Sequence, residues 1–144
     1  MSAEVSVGVV IRDVEDGDVE QVVTLWTECG LTRPWNDPHR DIEDARGNPT
    51  STILVGVAGE RVVSSVMVGY DGHRGWVYYL ATALDRQGAG LGRTTLAAAE
   101  DWRRAAGVRK LRLMVRQGNE RVRDFYESLG YADSGAGVVL GRDL

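Results

Sequence analysis

The feature of this sequence that most constrains its fold is a glycine-rich stretch between a strand pattern and a helix pattern. Glycines alternate at Gly88, Gly90 and Gly92, after a strand pattern over residues 76–84 and before a helix pattern over residues 90–106. Glycine allows the backbone to come close to a phosphate, and the first N–H groups of a helix carry partial positive charge. We therefore expect a strand–helix–strand unit with an anion site at its first turn.

Two other phosphate-binding loops fit this stretch less well. In the dinucleotide fingerprint G-x-G-x-x-G, the third glycine would fall at Arg93 or at Thr95. A Walker loop needs a lysine, and the only lysine of the chain is Lys110. Considered alone, the stretch could still be a tight turn without a ligand.

The remaining sequence alternates between strand and helix patterns in the order βααβββαβαββ. Predicted strands cover residues 5–11, 52–57, 62–70, 76–84, 110–115, 131–134 and 138–140. Predicted helices run from a cap at Asp16 or Asp18 to Gly30, and over residues 38–46, 90–106 and 119–129. A strand–helix–strand crossover makes its two strands parallel. We expect a single α/β (α+β) domain over residues 1–144, with a mixed, mostly antiparallel sheet and one parallel pair at the glycine stretch.

Composition narrows the functional class. The net charge is −4 without a block of like charges, which weighs against nucleic acid as the partner. No apolar run approaches the roughly 20 residues that span a bilayer, and residues 1–4 lack the basic and apolar regions of a secretory signal. Cys29 is the only cysteine, which excludes an internal disulfide and a cysteine-rich metal site. We expect a cytoplasmic protein that binds neither a membrane nor a metal ion.

Two motifs resemble those of the GNAT family of N-acetyltransferases. Residues 87–92, Gln-Gly-Ala-Gly-Leu-Gly, match the family signature Q/R-x-x-G-x-G/A. Asn119 and residues 125–131, Phe-Tyr-Glu-Ser-Leu-Gly-Tyr, are similar to the family's second motif. The two motifs lie in the expected order, one strand apart. Residues 33–38 and 69–75 further resemble the small bacterial YpeA-type branch.

The resemblance implies the GNAT fold over nearly the whole chain and an enzyme that uses acetyl-CoA as cosubstrate. The enzyme would move the acetyl group from the CoA thioester to a primary amine by direct attack, with a small molecule as the acceptor. A protein N-terminus or lysine as the acceptor is one alternative, and an acyl-CoA-binding module without turnover is another. The acceptor, the physiological acyl group and the oligomeric state, a homodimer included, stay open.

The resemblance also implies a cofactor site built mainly from backbone groups. Its expected residues are Thr82, Ala83, Leu84, Gln87, Gly88, Ala89, Gly90, Leu91, Gly92, Arg93 and Asn119. A backbone N–H near Thr82 would contact the thioester carbonyl. Family members usually carry valine, any residue and proline at positions 82–84, so Leu84 leaves the geometry of the strand exit open.

Two residues of the second motif have competing interpretations. Tyr126 resembles the family's general acid, since a phenol with a reference pKa of about 10 is protonated at neutral pH and can donate to a thiolate. It could instead be a core aromatic beside Phe125 and Leu129. Asn119 could bond to the pantetheine arm of the cofactor, cap its helix, or do both.

The acceptor is expected to meet the loop between the first two helices. Trp35 and Asp37 lie there, and an aromatic ring with a carboxylate suits a cationic amine. The alternative is a loop pinned by a buried Trp35. No general base is evident, because His73 lies in a turn far from the expected thioester, while Tyr78 or Tyr79 could orient a water molecule.

Overall fold

The computed structural model describes residues 8–135 and 137–144. The chain divides into two compact units, Met1–Met114 and Val115–Leu144. Within the described residues, the first unit holds five strands and three α-helices, and the second holds one α-helix. The start of the first predicted strand, residues 5–7, lies outside the described part.

Five strands form one sheet in the first unit: β1 Val9–Asp13, β2 Ser51–Ala58, β3 Arg61–Tyr70, β4 Gly75–Thr82 and β5 Leu111–Leu113. Strands that follow one another in sequence are neighbours in the sheet. The first three pairings are antiparallel, and β5 runs parallel to β4 with Gly75 opposite Leu111. The predicted mixed sheet with one parallel pair is confirmed.

Three helices of the first unit pack on this sheet: α1 Val19–Glu28, α2 Pro38–Arg46 and α3 Leu91–Ala105. The second unit holds α4, Glu120–Ser128. Short 3-10 turns precede two of the helices, Asp16–Asp18 before α1 and Leu84–Arg86 before α3. Over the described ranges, every helix is too short or too polar to cross a membrane.

Hydrogen bonds to two neighbouring serines of β3 show that α1 and α3 lie on opposite faces of the sheet. Thr95 Oγ1 of α3 donates to Ser64 Oγ at 2.9 Å, and Trp26 Nε1 of α1 donates to Ser65 Oγ at 2.8 Å. Successive side chains of a strand point to opposite faces. The sheet is therefore covered on both faces, and its core side chains are fully buried: Val22, Trp26, Ile42, Ile53, Val55, Val63, Val66, Val68 and Leu96.

The predicted final hairpin is wrong for the residues that the structure describes. Residues 131–135 and 137–140 form no strand, and Val138 and Leu140 are 84% and 88% exposed. Gly135 and Gly137 have positive φ, and the Gly135 N–H donates to Asp133 Oδ1 in a local turn. A valine-rich run has strand character only when a neighbouring strand pairs with it. Ala136, at the predicted tip of the hairpin, is outside the described residues.

Candidate active site

A β-bulge interrupts β4 near its carboxyl end. Tyr78 lies opposite Met67 and Ala81 lies opposite Ser65, so two residues of β4 oppose one residue of β3. Tyr79, inside the bulge, has φ +53°, the one positive value of a non-glycine residue in the described part of the chain. A bulge changes the direction in which the following residues point.

After the bulge, the backbone of Thr82 faces away from β3. The Ala83 N–H donates to Val63 O at 2.8 Å. In an antiparallel pair, residues bonded to the neighbouring strand alternate with residues that face the other way. The Thr82 carbonyl accordingly accepts from two side chains, Gln87 Nε2 at 3.1 Å and Cys29 Sγ at 3.3 Å. The Thr82 N–H points the same way as the Thr82 carbonyl, away from β3.

The sheet edge that Thr82 faces is open. β5 pairs with β4 only through Gly75–Val77, so no strand among the described residues of the first unit pairs with Tyr78–Thr82 on that side. β4 ends at Thr82, earlier than the predicted end at residue 84, because Leu84 begins a 3-10 turn. The open edge therefore presents a backbone donor directly before the glycine stretch.

Residues 87–92, the glycine loop, lead into the amino end of α3. Gly90 is the N-cap residue with φ +88°, and Gly88 has φ +82°. The first helical bond runs from the Thr94 N–H to Gly90 O at 3.1 Å. The N–H groups of Leu91, Gly92 and Arg93 therefore have no helical acceptor, as is general for the first turn of a helix. Together with the helix dipole, these unpaired donors are of the kind that favours an anion at the start of a helix.

An exposed ion pair, which the sequence reasoning did not identify, flanks the glycine loop. Arg61 donates to both carboxylate oxygens of Asp85, at 2.9 and 2.8 Å. The bonds from Arg61 hold the pKa of Asp85 below its usual range. The pairing compensates a negative charge that would otherwise lie two residues from Gln87.

Tyr79, the residue inside the bulge, is held by side chains from α1, α2 and β3. The rings of Trp26 and Tyr79 stack with centroids 3.8 Å apart and planes 4° apart. Trp26 Nε1 donates to Ser65 Oγ, which donates to Tyr79 O at 3.0 Å, and the Tyr79 hydroxyl donates to Asp41 Oδ2 at 2.7 Å. Burial, and then Asp41, raise the pKa of Tyr79, so its hydroxyl is a donor. We call Trp26, Asp41, Ser65 and Tyr79 the Tyr79 clamp.

Sequence reasoning named only part of the Tyr79 clamp. It named Tyr78 or Tyr79 as a residue that could orient a water molecule, but it did not connect Tyr79 to Trp26, Asp41 or Ser65. A carboxylate in the first turn of a polar helix gives no local signal of its partner, since Asp41 and Tyr79 are 38 positions apart.

In the loop before α2, the structure rules out one of the two interpretations that the sequence left open. Trp35 is 73% exposed, so the alternative of a loop pinned by a buried tryptophan is wrong. Asp37 caps α2, with Oδ1 accepting from the N–H groups of His39 and Arg40 at 3.0 and 3.3 Å. His73 lies in a turn, where its N–H donates to Asp71 Oδ1 at 2.8 Å.

The second unit holds both residues of the second motif. Asn119 is the N-cap of α4, and its Oδ1 accepts from the Val122 N–H at 3.3 Å. Tyr126 makes edge contacts with the rings of Phe125 and Tyr131, at centroid distances of 5.2 and 5.8 Å. Burial raises the pKa of Tyr126 to about 12, so the phenol is protonated at neutral pH. Metal-binding groupings of three or more His, Cys, Asp or Glu side chains are absent from the residues that the structure describes.

Comparison with known proteins gives a consistent result over almost the whole chain. The model of the acetyltransferase (GNAT) family matches residues 19–131. A protein of Sodalis glossinidius named as an acetyltransferase is 41% identical over 134 residues, which cover 93% of this chain and 94% of that protein. An acetyltransferase of Pectobacterium atrosepticum is 43% identical over the same shares of the two chains.

Solved structures share the fold. A predicted acetyltransferase of Clostridium acetobutylicum with acetyl-CoA has a TM-score of 0.77 at 13% identity, covering 92% of this chain and 96% of that one. An aminoglycoside N-acetyltransferase in complex with CoA has a TM-score of 0.79 at 14% identity, covering 94% of each chain. These two likenesses concern the fold, and the family follows from its matching model and the sequence relatives. The chain belongs to the acetyltransferase (GNAT) family.

Proposed function

We propose that this enzyme transfers the acetyl group of acetyl-CoA to a primary amine of a small molecule. The observation that carries the proposal is the succession of two donor sites in one unit. The Thr82 N–H faces an open sheet edge, and the glycine loop that follows ends in the donors of α3. Acetyl-CoA is an extended molecule that carries a thioester carbonyl at one end and a pyrophosphate further along. The carbonyl needs a single N–H donor, and the pyrophosphate needs a group of donors such as those at the start of a helix.

The residues present suit the phosphates of CoA. Gly88, Ala89 and Gly90 are exposed, and nothing lies within 4 Å of the position that a Cβ at Gly88 would take. The N–H groups of Leu91, Gly92 and Arg93 would donate to the pyrophosphate. CoA would supply the thioester, and Gln87, which donates to Thr82 O in this structure, could turn to the phosphates.

The chemical step requires a donor at the carbonyl and an acid at the sulfur. The Thr82 N–H would stabilise the negative charge that develops on the carbonyl oxygen as the amine attacks. A C–N bond forms and the C–S bond breaks. The Tyr126 hydroxyl would give its proton to the sulfur, and the proton lost by the amine would pass through water to solvent, from which Tyr126 would regain a proton. Asn119 would add a bond to the pantetheine arm while it caps α4.

The small-molecule acceptor is supported by the loop before α2 and by the solved structures. Trp35 offers an exposed aromatic face, and Asp37 keeps a carboxylate at the surface. Proteins that share the fold include an aminoglycoside acetyltransferase in complex with sisomicin, with a TM-score of 0.77 at 14% identity. A ring and a carboxylate together favour a cationic amine as the substrate.

The experiment that tests the proposal measures release of free thiol from acetyl-CoA with panels of amines and of peptides. Acetyl-CoA should first raise the melting temperature more than NAD or ATP does, because a ligand of the native state stabilises it. Thiol release should then depend on a small cationic amine. Release with peptides alone would assign a protein acceptor instead. Tight acetyl-CoA binding without release in either panel would assign a binding module.

A further inference from the structure

We propose that Tyr79 and Asp41 are positioning residues for acetyl transfer, because the hydrogen bond between them holds the β4 bulge that directs the Thr82 N–H to the open sheet edge. This inference rests on the proposed function and adds to it two residues outside the glycine loop and the second motif. Its basis is the register of β4, the backbone conformation of Tyr79 and the contacts of the Tyr79 clamp.

The register of β4 shows what the bulge does to Thr82. With the bulge, Ala83 lies opposite Val63 and donates to its carbonyl at 2.8 Å. Without the extra residue, every residue after the bulge would shift by one position, and Thr82 would take the place opposite Val63. Its N–H would then be bonded to β3. The bulge therefore decides whether Thr82 offers its N–H to a ligand or to the sheet.

The conformation of Tyr79 is one that its own side chain disfavours. A non-glycine residue with positive φ is uncommon, and in a β-strand it persists only where the surroundings impose it. At Tyr79 those surroundings are the stack on Trp26, the bond from Ser65 Oγ to the Tyr79 carbonyl, and the bond to Asp41. The first two contacts fix the ring plane and the carbonyl, and the third fixes the far end of the side chain.

The bond to Asp41 also connects the bulge with α2. Asp41 lies one helical turn after the Asp37 cap, and the Asp41 N–H donates to Asp37 O at 2.9 Å. The expected acceptor loop and the expected thioester donor are thus joined through one carboxylate and one phenol. A phenylalanine ring would stack on Trp26 equally well. The hydroxyl is therefore the part of Tyr79 that ties the bulge to Asp41.

The test compares two conservative variants of the clamp with two matched controls. Tyr79→Phe keeps the ring and removes the hydroxyl, and Asp41→Asn keeps the shape and removes the charge. Tyr70→Phe makes the same chemical change at the end of β3, and Asp44→Asn makes it on the exposed side of α2, where Asp44 contacts Arg40 at 3.4 Å. Each variant is measured for single-turnover acetyl transfer at saturating acceptor, CoA affinity and melting temperature.

We expect Tyr79→Phe and Asp41→Asn to slow single-turnover transfer about 10-fold, a fraction of the effect of deleting a carbonyl donor outright. CoA affinity should stay within about 2-fold of the wild type, since CoA has no acetyl carbonyl and the glycine loop is unchanged. The controls should match the wild type in both measurements. A rate in both clamp variants equal to that of the controls would overturn the proposal.

Amide hydrogen exchange in the protein without ligand separates failure of this inference from failure of the proposed function. The Thr82 N–H should exchange faster than the Ala83 N–H in the wild type, and the clamp variants should reduce this contrast. If the wild type transfers acetyl to no acceptor, both the proposed function and the positioning role are refuted, even if the clamp variants reduce the difference in exchange rate between Thr82 and Ala83. Active clamp variants with an unchanged contrast and rate refute the positioning role alone.

Discussion

The glycine loop and the Tyr79 clamp belong to the same unit but are built by opposite means. The loop offers backbone N–H groups at the start of α3, and its residues Gly88, Ala89 and Gly90 are small and exposed. The clamp consists of side chains from α1, α2 and β3 around one strained residue of β4. The loop is continuous in sequence, whereas the clamp joins positions from Trp26 to Tyr79.

The difference teaches what kind of substitution each part tolerates. A site made of backbone donors keeps its chemistry when side chains change, as long as the backbone angles remain accessible. A site made of side-chain bonds loses its geometry when a single oxygen is removed. Substitutions can therefore test whether activity depends on backbone conformation in the glycine loop and on single polar atoms in the Tyr79 clamp.

The largest effect is expected from Gly90→Val. The side chain would enter the space of the phosphates, and valine is strained at φ +88°. CoA affinity measured by calorimetry should fall about 100-fold or more, as for the loss of a main anion site. Gly59→Val is the control, because Gly59 has φ +64° in the β2–β3 turn. Equal CoA affinity in both variants would contradict the phosphate role of the loop.

Tyr126→Phe should have the next largest effect. Removing the hydroxyl removes the expected proton donor, and general-acid catalysis contributes about 10²–10⁴-fold. CoA thiolate is a fair leaving group, so we expect a loss of about 10- to 100-fold in the single-turnover rate with acetyl-CoA affinity unchanged.

The pH dependence sharpens the result for Tyr126. Because burial raises the pKa of Tyr126 to about 12, its proton is retained at neutral and mildly alkaline pH. The ratio of wild-type to variant rates should therefore be constant between pH 7 and about 9. A variant as fast as the wild type in single turnover would show that Tyr126 is a structural aromatic only.

A smaller effect is expected from Asp37→Asn. Asparagine caps helices as well as aspartate does, so α2 should stay intact while the carboxylate charge is lost. The KM for a cationic amine should rise about 2- to 5-fold, the range of one exposed charge contact, with acetyl-CoA affinity unchanged. Asp44→Asn on the same helix is the control. A KM that does not move in the Asp37 variant would leave Asp37 with its capping role alone.

The smallest effect is expected from Arg61→Gln. The variant leaves the Asp85 carboxylate uncompensated near the phosphate site, so CoA affinity should fall about 2-fold at low ionic strength and recover at high salt. Arg104→Gln breaks a comparable exposed pair with Asp101 near the other end of α3 and should have no effect on CoA binding. A loss that persists in high salt would indicate a direct contact between Arg61 and the ligand.

Local patterns in the sequence predicted most of the fold and part of the candidate site. Apolar spacing predicted α1, α3 and α4, and valine-rich runs predicted β2 and β3, because helix and strand periodicities follow from backbone geometry. The prediction failed at residues 131–140, where a run with strand character has no strand beside it in the described residues. Whether such a run pairs depends on distant segments, which no local window contains.

By itself, the sequence determined the glycine loop, since alternating glycines at the start of a helix pattern require only local conformation. The tertiary structure alone decided the direction of the Thr82 N–H, because that direction depends on one extra residue in the register between β3 and β4. It also decided that Asp41 meets Tyr79, 38 positions away. Contacts of this kind arise only when the helices close over the sheet, and they depend on packing, which local propensity does not specify.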